Sequence, residues 1–130
     1  SQFLDYHQWQ GTKDLSAYLT IPFTINFLKE NKWILRAKKC HKINLWARDE
    51  INKLLNNESL CDDKFLGQMS SIYLDFKNPL ETQINFYKKY KIQIPFIIWN
   101  DISLIRISIQ VYNGKEDVYK LLDALKKEFC

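Results

Sequence analysis

Cysteine is scarce in this chain: Cys40, Cys61 and Cys130 are all there is in 130 residues. An odd and sparse set does not make a disulfide framework and points to a reducing compartment, so a cytoplasmic location is the expectation. The sequence also lacks an apolar run long enough to cross a bilayer, a signal-peptide pattern at its N-terminus, an internal repeat and a low-complexity linker. Metal ligands are equally thin. Cys40 and His41 are adjacent, and neighbours on a helix point about 100° apart, so they do not form a compact chelating pair. With no second Cys/His cluster, zinc binding and Cys–His catalysis are not expected. A block of like charge is missing as well. The 19 basic and 15 acidic residues, net +4, interleave along helices, as in Lys29-Glu30 and Lys126-Lys127-Glu128. That is a solvated helix surface, not the concentrated footprint of a nucleic-acid binder.

What is present suffices for one domain with a core, since 46% of the residues are hydrophobic. The most informative stretch is Leu104–Gly114, LIRISIQVYNG, which alternates with period two. Ile105, Ile107, Ile109 and Val111 make a β-branched core face. Leu104, Arg106, Ser108, Gln110 and Tyr112 point the other way. The planar guanidinium fork of Arg106 matches a carboxylate or phosphate bidentately. Arg, Ser and Gln are also ordinary on the solvent side of an antiparallel sheet, and the pattern alone leaves both readings open. Asn113 and Glu116 have capping-box spacing, and Val118, Leu121, Leu122, Leu125 and Phe129 share one face of the helix that follows.

Upstream, residues 1–13 show no clear period and read as an extended lead-in, with Gly11-Thr12 as a turn and Asp14 or Ser16 as a cap. Leu15–Asn31 reads as helical, with Pro22 near the start of its regular part. Tyr18, Leu19, Ile21, Phe23, Ile25, Phe27 and Leu28 occupy no single narrow face, and a helix that is apolar nearly all round needs cover on several sides. So small a chain has little material to supply it, which implies a further domain or subunit. Trp33–Leu55 reads as a long helix with Ala37, Cys40, Ala47, Ile51 and Leu54 facing inward, and Lys38, Lys39, Lys42, Arg48 and Lys53 on other faces.

Asn56–Leu66 reads as a polar loop, with Asp62-Asp63 solvated. Gln68–Phe76 is a predicted strand. Asn78 caps a predicted helix that starts at Pro79 and buries Leu80, Ile84, Tyr87 and Tyr90. Ile92–Trp99 is a predicted edge or bulged strand because of Pro95, joined by the Asn100-Asp101 turn to the Arg106 strand. The order strand, helix, strand, strand, helix predicts an α+β fold, in which long helices lead into a small antiparallel three-stranded sheet with helices on one face. A ferredoxin-like RNA-binding module would need aromatics on the open face of the central strand. Arg106, Ser108 and Gln110 stand there instead.

Several blocks together resemble class V aminotransferase-type proteins, fold-type I enzymes that use pyridoxal phosphate (PLP), and most of all the isopenicillin-N-epimerase-like group. The blocks are W-Q-G-T-x-D with Ser-Ala-Tyr-Leu and a proline after it, Trp33 and Arg36 with Cys40-His41 and Ala47-Arg48, and R-x-S-x-x-x-Y-N before the last helix. The resemblance implies the C-terminal small domain of such an enzyme. It implies that Arg106 holds the α-carboxylate of an amino-acid substrate, and that Gly11 and Thr12 reach the cofactor phosphate, commonly in the partner subunit of a homodimer. It further implies that residues 1–32 border a large N-terminal domain, that residues 33–130 form the small domain, and that the Schiff-base lysine lies in the large domain, upstream of this chain. No catalytic residue is expected within it, and it is expected to be inactive alone. The reaction would be of transaminase, epimerase or lyase type. The alternative is a catalytically inactive protein-interaction domain derived from such an enzyme.

Overall fold

A computed structural model describes residues 1–8 and 11–130. The chain divides into two compact units, Ser1–Trp33 and Ile34–Cys130.

In the first unit the N-terminus is helical, not extended: α1 runs over Gln2–Gln8. Local contacts explain it. The Ser1 hydroxyl accepts from the Leu4 N–H (3.3 Å), and Phe3 and His7, one turn apart, stack with ring centroids at 4.2 Å. After the Gly11–Thr12 bend, Asp14 accepts hydrogen bonds from the Ser16 N–H (2.9 Å) and hydroxyl, which hold its carboxyl below the usual carboxylate range. Two helices follow, α2 (Ser16–Leu19) and α3 (Ile21–Glu30), with Pro22 in the first turn of α3, where its missing N–H costs nothing. Neither helix buries a residue.

The second unit holds the core and the sheet. Helix α4 (Trp33–Leu55) leads through a loop and a short 3-10 turn (Asp63–Phe65) into strand β1 (Met69–Tyr73). Then come α5 (Pro79–Tyr90), β2 (Phe96–Trp99), β3 (Ile102–Ser108) and α6 (Lys115–Phe129). The sheet order is β1-β3-β2, with both pairs antiparallel. Strands β1 and β2 therefore run parallel, joined through α5, with β3 between them: a split β-α-β arrangement. The fold is α+β, as expected.

Each local signal has a physical counterpart. The Asn78 side chain accepts from the Glu81 N–H (3.2 Å), and Pro79 opens α5. Asn100 and Asp101 both have positive φ (47° and 61°), which makes a type I′ turn whose twist suits the β2–β3 hairpin. Helix α6 starts one residue later than the spacing suggested. Gly114 is the N-cap, and its N–H donates to Asp117 (3.1 Å), while the Asn113 side chain accepts from the Gln110 N–H (3.0 Å) and closes a turn.

The core lies on one face of the sheet. Ile72, Ile105, Ile107 and Phe96 pack there with Cys40, Ala47 and Ile51 of α4, Phe86 of α5, and Val118, Leu121, Ala124 and Leu125 of α6. Phe76, Phe86, Phe96, Phe129 and Tyr90 form an aromatic cluster; the Phe76–Phe96 centroids are 5.2 Å apart and edge-on.

Four expectations are corrected. Helix α5 buries Phe86 and half-buries Tyr90, whereas Leu80, Ile84 and Tyr87 are exposed. Strand β3 stops at Ser108, because the chain turns at Gln110–Asn113; Val111 is exposed, and Gln110 belongs to the turn instead of the strand face. Strand β2 begins only after Pro95. Arg48, expected on a face of α4 other than the apolar stripe, is buried with that stripe.

Candidate functional site

The face of the sheet away from the helices is partly exposed, although Leu104 on it is buried. Antiparallel pairing places Met69, Ser71 and Tyr73 of β1, Leu104, Arg106 and Ser108 of β3, and Ile97 and Trp99 of β2 on it. Arg106 occupies the middle strand, directly across from Ser71. Its backbone is fixed on the β2 side, where its N–H donates to the Pro95 carbonyl (3.2 Å). Its guanidinium is exposed and has no hydrogen bond or ion pair among the described residues. A cation in the middle of a face built from Met, Tyr, Leu, Ile and Trp has the donor geometry for a carboxylate or phosphate.

The free edge of β1 is the second feature. Ile109 donates to the Gln68 carbonyl (2.8 Å) and Leu74 to the Ser103 carbonyl (3.2 Å), so even-numbered β1 residues point their backbone groups at β3. Met69, Ser71 and Tyr73 direct theirs outward. At Tyr73 the Asn57 side chain caps the carbonyl (2.8 Å). Alongside Ser71 lies a hollow of about 230 Å³, lined by Arg106, Ser71, Met69, Leu60, Leu66 and Arg48 among others. On the β2 side Arg106 borders a broader trough of about 960 Å³.

The roof of the small hollow is held by a row of buried polar residues on α4. Asn44, Arg48 and Asn52 recur every four residues and face the loop before β1. Asn44 donates to the Gly67 carbonyl (3.2 Å), which the His41 ring also contacts (2.8 Å). Asn52 donates to the Ser59 hydroxyl (3.3 Å). Arg48 donates to Asp49 (2.8 Å) and Asp63 (2.5 Å), and its Nη1 lies 3.5 Å from the Cys61 carbonyl. Burial opposes its charge, but the two aspartates outweigh burial and hold the guanidinium above its ordinary pKa. Asp63 is thus a structural partner of a buried cation and not merely a solvated carboxylate. Composition gave no hint of this row. The four-residue spacing of Asn44, Arg48 and Asn52 on one face was the available signal.

Gly11 and Thr12 belong to the first unit and Arg106 to the second. Gly11 has φ +67°, and a Cβ there would meet nothing within 4 Å, so glycine is set by backbone conformation and not by crowding. Thr12 is exposed. Open backbone and a free hydroxyl fit a contact to a phosphate group. No cluster of three or more His, Cys, Asp or Glu side chains suited to a metal occurs among the described residues. No helix among them is long and apolar enough to cross a membrane. No protein-family model matches the sequence, and a search of curated proteins returns no match.

Proposed function

We propose that this chain is the substrate-carboxylate-binding part of a PLP-dependent enzyme of fold-type I, class V aminotransferase type, closest to the isopenicillin-N-epimerase-like group. In this reading it acts with a large domain that supplies the cofactor-binding lysine, within a homodimer. The observation that carries the reading is Arg106: an unpaired cation in the middle strand of a partly exposed sheet face, with the core packed on the other side. Arg106 holds the α-carboxylate of an amino-acid substrate. Gly11 and Thr12 contact the cofactor phosphate. Bound PLP supplies the electron sink for transaminase, epimerase or lyase chemistry at the α-carbon. The residues of this chain bind and orient, and the isolated chain has no activity of its own.

The test is to isolate the native protein with an antibody against this chain, and to record its mass and its visible absorbance. A PLP band on a polypeptide that carries this chain, or on one that copurifies with it, is the expected result. In that protein Arg106→Ala lowers kcat/KM by about a hundredfold, because two charge-assisted hydrogen bonds are lost. A preparation without PLP, or full turnover in Arg106→Ala, refutes the proposal.

A second reading is a protein-interaction domain derived from such an enzyme but without catalysis. Helices α2 and α3 favour it, since Tyr18, Leu19, Ile21, Phe23, Ile25 and Phe27 are all exposed. It predicts that Arg106→Ala leaves function unchanged, while polar replacements at Phe23 and Phe27 abolish partner binding.

A further inference from the structure

We infer that the substrate carries a short aliphatic side chain, and that the hollow between β1 and residues 60–66 receives it. The inference rests on the reading of Arg106 as a carboxylate anchor and narrows the substrate class.

Arg106 stands on the wall of the hollow, with Ser71 directly opposite it in register. Ser71 lines the same hollow, so a carboxylate placed here has the Arg106 guanidinium as its cationic partner, at the edge of β1 where the Ser71 N–H points away from β3. Beyond that end the walls turn apolar, with Leu60, Leu66 and Met69. Cys61, a free and weakly polar thiol, and Ser71 complete the lining, and two of the other polar side chains offer a ligand little. The Arg48 guanidinium is engaged by Asp49 and Asp63. The Ser70 hydroxyl has no accessible surface.

A second carboxylate would find its only other cation already neutralised, with two aspartates close by. It would be desolvated without a partner, a cost that an aliphatic group avoids. Size sets the upper limit. A volume of about 230 Å³ equals roughly eight waters at about 30 Å³ each. That accommodates a carboxylate and a few carbons.

The experiment titrates the intact chain with acetate, propionate, isovalerate, succinate and inorganic phosphate at constant ionic strength, following backbone amide shifts by NMR. The expected result is a Kd that falls about fourfold for each added carbon from acetate to isovalerate, with shifts concentrated at Leu66, Met69 and Ser71. Binding is lost in Arg106→Gln, a substitution at an exposed position whose spectrum reports on folding directly. If acetate binds through Arg106 but added carbons bring no gain, the side-chain inference is overturned and the carboxylate anchor stands. If succinate or phosphate binds as tightly as isovalerate, the hollow is a general anion site and the inference is overturned. If no carboxylate shifts these amides, both the inference and the anchor are overturned. The ligand series on the unchanged chain decides the matter even if a variant were to unfold.

Discussion

Arg48 of α4 is almost wholly buried, yet its Nη2 lies 2.5 Å from Asp63 Oδ1, a carboxylate that is itself largely exposed. The pair joins a core helix to the loop that roofs the hollow beside Arg106. A second carboxylate, Asp49, shares the same nitrogen at 2.8 Å. The arginine therefore reaches out of the core to be neutralised at the surface, and its side chain packs on the way.

Removing Asp63 should loosen the loop without leaving Arg48 unneutralised. Asp63→Ala is expected to lower stability by about 1–3 kcal/mol, the worth of a hydrogen bond to a charged group. Arg48→Ala should cost more, because the packing of the aliphatic stem is lost with the charge. Urea unfolding midpoints of the two variants test the order. Equal stability of Asp63→Ala and the parent would mean that Asp49 alone satisfies Arg48.

Phe86 and Leu80 lie on different faces of α5, about 120° apart. Phe86 is 2% exposed and sits between Phe96, Tyr90 and Phe129, whereas Leu80 is 69% exposed. Phe86→Ala should destabilise by about 3–5 kcal/mol, through lost transfer energy and a cavity. Leu80→Ala should stay within about 0.5 kcal/mol. Thermal unfolding of both variants separates the helix face seen in the structure from the face that hydrophobicity alone selects.

Asp101 occupies a left-handed position (φ 61°) in the β2–β3 turn and makes no side-chain hydrogen bond among the described residues. Glycine adopts that conformation without strain, and Asn-Gly is the preferred type I′ pair. Asp101→Gly should therefore raise stability, by up to about 1 kcal/mol. A lower unfolding midpoint would show that the aspartate contributes something the turn geometry does not reveal.

How much of this was legible beforehand differs by level. The element order, the long helix over Trp33–Leu55, the Asn78 cap and the turn at Asn100-Asp101 follow from local chemistry that acts within a few residues, and the sequence displays it directly. The register that sets Arg106 across from Ser71 depends on which strands meet, and only the fold supplies that. On α5 the helical period alone does not decide which apolar face is buried. Leu80, Ile84 and Tyr87 form a valid helical stripe, but the sheet presents Phe96 to the neighbouring face, and Phe86 is the residue that meets it. At α1 a short helix formed where no apolar period existed, because Ser1 and the Phe3–His7 stack act locally. The buried Arg48 was hidden because its aspartates are one and fifteen residues away, and only the second depends on the loop folding back.

Glu128 near the end of α6 accepts from Lys89 (2.6 Å) and from the Tyr90 hydroxyl (2.9 Å), joining α6 to α5 across the aromatic cluster. The Lys89 hydrogen bond, then that of Tyr90, holds the Glu128 carboxyl below its ordinary pKa. A depressed folded-state pKa means that the folded protein binds this proton less readily than the unfolded chain does. The stabilisation is therefore complete above the usual glutamate range, and it is lost as the pH falls through that range to the lowered folded value. Glu128→Gln should be less stable than the parent at neutral pH, and the gap between them should close as acid protonates Glu128 in the parent. Because the pair is largely solvent-exposed, added salt should shrink the gap as well. Unfolding midpoints of both proteins between neutral pH and pH about 3, at low and high salt, check the sign. A gap that widens in acid would mean that Glu128 stabilises the protein through its neutral form, and that its link to Lys89 is not what joins the two helices.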